Sequence, residues 1–123
     1  MPNAPQQIAE SLIRAHDQKE YRKAEPVFRR ALTIREKALD AEHPDLAKSL
    51  KNLAVACYRQ KRYVEAESRY RRALVVLEKT QGPKHPEFAA SLGKYAGTLR
   101  NLKRNDETTE VESQIKALSA GSN

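Results

Sequence analysis

The feature that most restricts what this chain can fold into is an internal copy: shifted by 42 residues, the sequence falls on itself without a gap. Tyr21 meets Tyr63, Ala24 meets Ala66, Glu25 meets Glu67, and Arg29, Arg30, Ala31 and Leu32 meet Arg71, Arg72, Ala73 and Leu74. The register holds through His43-Pro44 on His85-Pro86, Ser49-Leu50 on Ser91-Leu92 and Ala54 on Ala96, as far as Lys61-Arg62 on Lys103-Arg104. A period of this length signals a solenoid or array, in which each unit buries its apolar face only by stacking on a neighbour.

Each period reads as two helices. From Pro44 to about Gln60, Leu46, Ala47, Leu50, Leu53, Ala54 and Cys57 recur at spacings of three and four, so they share one helical face. From Tyr63 to about Lys79, Ala66, Tyr70, Ala73, Leu74 and Leu77 do the same. His43-Pro44 and His85-Pro86 put proline at a first helical position, where its missing N–H costs nothing, with Asp45 or Glu87 next to favour the positive end of the helix dipole. The two histidines are expected to act as structural caps. Gly82 stands where the preceding helix should end, since glycine adopts the left-handed conformation cheaply.

The order Leu50, Leu53, Ala54, Cys57, Ala66, Tyr70, Ala73 resembles the tetratricopeptide motif, and the 42-residue spacing with its His-Pro loop is similar to the kinesin light chain type of that repeat. The resemblance is strong over about 21–104. It departs from the family at the turn between paired helices, where Lys61 and Lys103 replace glycine, and at Asp40, the counterpart of Gly82. A left-handed lysine would carry strain. Beyond these limits, Ile8, Leu12 and Ala15 predict a first helix over about 5–18, although Ser11 replaces the expected Leu and Ile13 falls off the apolar face. Asn105 or Asp106 should cap a last helix with Val111, Ile115 and Leu118 on its apolar face. The expectation is an all-α, right-handed superhelical solenoid of three antiparallel helix pairs, about six helices. The pairs would span 5–39, 44–79 and 86–118 within a repeat domain of 5–118, between short tails of 1–4 and 119–123.

The resemblance implies a protein-binding scaffold in which the first helix of each pair lines a concave groove. On the middle pair the inward residues would be Lys48, Lys51, Asn52, Val55, Tyr58 and Arg59; on the third, Ala90, Gly93, Lys94, Gly97, Arg100 and Asn101. The first pair would add Gln6, Ala9, Glu10, Ile13, His16 and Asp17. Such a lining has cationic walls and an apolar floor from Val55 and Tyr58, and suits an extended, acidic peptide. Asn52 matches the family asparagine that holds a ligand main chain. The chaperone-tail clamp of some relatives needs Lys and Asn where Ala9 and Ile13 stand, so that ligand is not expected. For the lysines and arginines the alternative role is a solvated helix face.

No catalytic constellation is recognisable. Three histidines are scattered, Cys57 takes a core position, and the glycines at 82, 93, 97 and 121 form no phosphate loop, so no enzyme activity, cofactor or metal is expected. A single cysteine permits no internal disulfide and fits a reducing, cytoplasmic setting, and no apolar run is long enough for a membrane span. Net charge is +7. That charge raises nucleic acid as a rival partner, yet Arg29, Arg30, Arg71 and Arg72 lie near Glu25, Glu36, Glu67 and Glu78, which dilutes a basic patch, so nucleic acid is the weaker candidate. Self-association through the ends of the stack, with Ile8 and Ile13 exposed, is a further alternative; a homo-oligomer would follow.

Overall fold

A computed structural model describes the backbone of residues 4–38 and 43–120, and the side chains of 18–38 and 43–120. Within these limits the chain is all α-helix: α1 Ala4–Ala38, α2 Pro44–Arg59, α3 Tyr63–Thr80, α4 Pro86–Asn101 and α5 Asn105–Ala120. Packing runs between successive helices, α1 on α2, α2 on α3, α3 on α4 and α4 on α5, which is the nearest-neighbour topology of a repeat array. None of the described helices is long and apolar enough to cross a membrane.

The seven motif residues form the middle of the core. Leu50, Leu53, Ala54, Cys57, Ala66 and Ala73 are fully buried, and Tyr70 nearly so. Small residues let α2 and α3 approach closely while the leucines and Tyr70 fill the space between them. Phe88, Leu92, Ala96 and Leu99 carry the core into α4, and Val111 closes it on α5, with Ile115 and Leu118 packed partly against it.

The helix ends follow the sequence signals. Proline opens α2 and α4, and the preceding histidines are caps: His43 Nδ1 accepts from the Asp45 amide and His85 Nδ1 from the Glu87 amide, both at 3.1 Å. Gly82 is left-handed, and its amide donates to the Leu77 carbonyl at 3.0 Å. Lys61 and Lys103 are also left-handed, at φ of 63° and 61°. At the start of α5, the Thr108 amide bonds the Arg104 carbonyl, so Arg104 closes the first turn and Asn105 is already inside the helix, one residue earlier than a cap at Asn105 or Asp106 requires.

The first pair departs from expectation. Residues 5–39 were expected to fold as a hairpin, but α1 runs unbroken for 35 residues, so the described residues form five helices in place of six. The segment Gln18-Lys19-Glu20-Tyr21 differs from the turn Gln60-Lys61-Arg62-Tyr63 by one residue, and that residue matters. Arg62 grips Glu25 of α1 and Glu65 of α3, each at 2.5 Å; one period later Arg104 grips Glu67 at 2.7 Å and Glu107 at 2.5 Å. Glu20 and Lys23 stand at the equivalent positions of the first period, with the charges exchanged. A left-handed Lys19 would therefore pay roughly 1–2 kcal/mol without that clamp, and Gln, Lys and Glu are good helix formers. Asp40 lies outside the described residues, as do the side chains of Gln6, Ala9, Glu10, Ile13, His16 and Asp17.

Candidate functional site

Helices α2 and α4 are the first members of their pairs and lie on either side of α3, which packs against both. Between them opens a cleft of about 320 Å³ lined by Val55, Tyr58 and Arg59 from α2, Ala90, Gly93, Lys94 and Gly97 from α4, and Tyr70 from α3. All but Tyr70 belong to the inward set read from the sequence. Tyr70 had been read as core alone, and its aromatic position in the repeat motif was the signal that it could also floor the cleft.

The wall is held in place by polar contacts. Tyr58 accepts a hydrogen bond at 2.9 Å from the Asn101 side-chain amide, which also donates to the Gly97 carbonyl. The Tyr58 ring meets Tyr63 edge-on at 5.3 Å. A methyl group at Gly93 would find nothing within 4 Å, and one at Gly97 would only touch the Tyr58 hydroxyl at 3.9 Å. Among the described residues, no side chain therefore needs Gly93 for room.

The remaining site residues are distributed around this cleft. Asn52 is half-buried one turn before Val55 on α2. Lys51 donates to Glu87 across the α2–α4 gap. Burial, and then the charges of Lys94 and Lys48, hold the Lys51 ammonium below its ordinary pKa. Arg100 is turned toward α5, where it pairs with Glu112 at 3.2 Å, and it does not line the cleft.

Cys57 is buried in the core, and that burial pushes its thiol up to about 11, leaving it un-ionised at neutral pH. Three of the four recurring arginines pair with carboxylates: Arg29 with Glu25 and Glu65, Arg71 with Glu67 at 3.7 Å, and Arg72 with Glu36 at 3.4 Å. The basic stripe suggested by net charge is thereby broken up.

Comparison with known proteins agrees with this architecture. The chain superposes on the nearly identical TPR-like repeats of a kinesin light chain candidate from Podosopora anserina, with a TM-score of 0.76 and 22% identity over 98% of this chain and 58% of that one. A single-substitution variant of the same protein gives 0.77, with 22% identity over 98% and 57%. The chain thus spans under three fifths of those proteins, and at this identity the likeness concerns the fold. No curated protein matches the chain. The tetratricopeptide repeat profile matches residues 12–79 and again 52–107, together most of the sequence. With its 42-residue helical hairpins and sequential packing, the chain belongs to the tetratricopeptide repeat family.

Proposed function

We propose that this protein is an interaction module with no chemistry of its own, which takes an extended acidic segment of another protein into the cleft between α2 and α4. Tetratricopeptide repeats generally mediate protein–protein contact, and the finer reading rests above all on Gly93. A glycine inside a helix costs roughly 1 kcal/mol relative to alanine. Gly93 is exposed in the middle of α4, and no neighbouring group occupies the space over it. A ligand main chain lying against the helix gives that residue a purpose.

The surrounding chemistry supports the same ligand. Val55, Tyr58 and Tyr70 offer an apolar floor, Arg59 and Lys94 supply positive walls, and Lys48 and Lys51 add positive charge nearby on α2. Asn52 is assigned to the ligand backbone, as its place beside Val55 suits an amide that bonds a main chain. Asn101 contributes from the far end by fixing Tyr58, whereas Arg100, paired with Glu112 outside the cleft, would meet only a ligand that runs on past it. A lone, buried Cys57 fits a reducing cytoplasmic setting.

Fluorescence anisotropy with a fluorescein-labelled dodecapeptide of alternating Glu and Leu tests this reading. Lys94→Glu should weaken binding about tenfold or more, through like-charge juxtaposition, and Asn52→Ala should weaken it too, with helical circular dichroism unchanged in both. Affinity retained in both variants would place the ligand on another surface.

A further inference from the structure

The helix face that the first pair should have covered is left part-open. Ala24, Phe28 and Ala31 of α1 are half-buried, whereas their counterparts one period later, Ala66, Tyr70 and Ala73, are sealed. Ile34 is 56% exposed, while Val76 at the same repeat position is 4% exposed. Val27, also on α1, is 65% exposed. The cause is topological. Helix α3 is flanked by α2 and α4, whereas α1 packs along α2 and meets α3 through ion pairs, Arg29 with Glu65 and Glu36 with Arg72.

The repeat itself says what fits this face. In the middle pair, α2 supplies Leu50, Ala54 and Cys57 to the core it shares with α3. Forty-two positions earlier stand Ile8, Leu12 and Ala15, which share the apolar character of that set. In α1, however, these residues are collinear with the face they match. Positions 12 and 28 are separated by 16 residues, about 24 Å along a helix axis, so the arm of one copy cannot reach its own face without breaking at 18–20.

We propose that the first half of α1 is an exchanged arm: residues 5–18 of one copy lie antiparallel on the 21–38 face of a second copy, and the second returns the same contact. Two continuous α1 helices crossing near Lys19 satisfy both faces with one two-fold operation, and the closed symmetry limits the assembly to a dimer. The hinge favours exchange over a closed hairpin because closure needs a left-handed lysine at position 19, as at Lys61 and Lys103, without the arginine clamp that accompanies both of those turns. This inference does not depend on the peptide reading, since the cleft is built from α2, α3 and α4.

Sedimentation velocity over a concentration series tests it. The intact chain should sediment as a dimer that dissociates on dilution. Lys19→Gly makes the closed turn inexpensive once per chain and should raise the dimer Kd about tenfold or more. Leu12→Asp, a change outside α2–α5, should give a monomer that still binds the acidic dodecapeptide if the cleft reading holds. A monomer at every concentration, or a dimer indifferent to Lys19→Gly, would overturn the exchange.

Discussion

Single residues in this protein are best understood against their copies one period away. Ser49 and Ser91 are equivalent, and both are buried, but only Ser49 receives a hydrogen bond, from Arg35 at 2.5 Å. Leu77 takes the place of Arg35 in the next period, and the Ser91 hydroxyl is left without a partner. Ser91→Ala should therefore stabilise the fold by about 1 kcal/mol, read as a higher midpoint in urea with an unchanged slope. Gly93→Ala should do the same by up to roughly 1 kcal/mol, and on the proposed function it should also weaken the acidic peptide. A gain in stability with no loss of affinity would separate the two roles. The buried identities were legible from spacing alone, as Leu50, Ala54, Cys57 and Ala66 show. The hydrogen bonds were not, because Ser49 and Ser91 look alike until Arg35 or Leu77 is seen beside them.

At the level of helices, the caps and turns were readable because their causes are local: proline after histidine, glycine past a helix end. The unbroken α1 was hidden because its cause is not local. Gln-Lys-Glu and Gln-Lys-Arg differ little in propensity, and what separates them is the acid on the preceding helix that only an arginine can grip. Glu25 shows the strength of that grip. Burial alone would raise its carboxyl pKa, but hydrogen bonds from Arg62, Arg29 and Gln60 outweigh the burial and hold it below the ordinary glutamate value. A depressed folded value means that the stabilisation is fully present above the unfolded pKa and is lost as pH falls through the folded one. Thermal unfolding of the intact chain should accordingly weaken more steeply from about pH 5 to pH 3 than that of Glu25→Gln. Equal slopes would show that the contact contributes nothing in solution.

For the molecule as a whole, the array class was written in the 42-residue register, and the cleft followed once first helices were set side by side. Six of its eight lining positions are small or aliphatic, or are tyrosines whose repeat roles are packing roles, so composition could not single them out. The turn arginines carry a last consequence. Arg104 finds Glu67 in the same way that Arg62 finds Glu25, so the arginine clamp between one hairpin and the next recurs at both described steps. An added tandem copy of residues 44–85, spliced after His85, should slot into the stack with its own arginine on Glu67 and raise the melting temperature. The protein would thus be extensible by whole units, like a ruler lengthened by one more graduation.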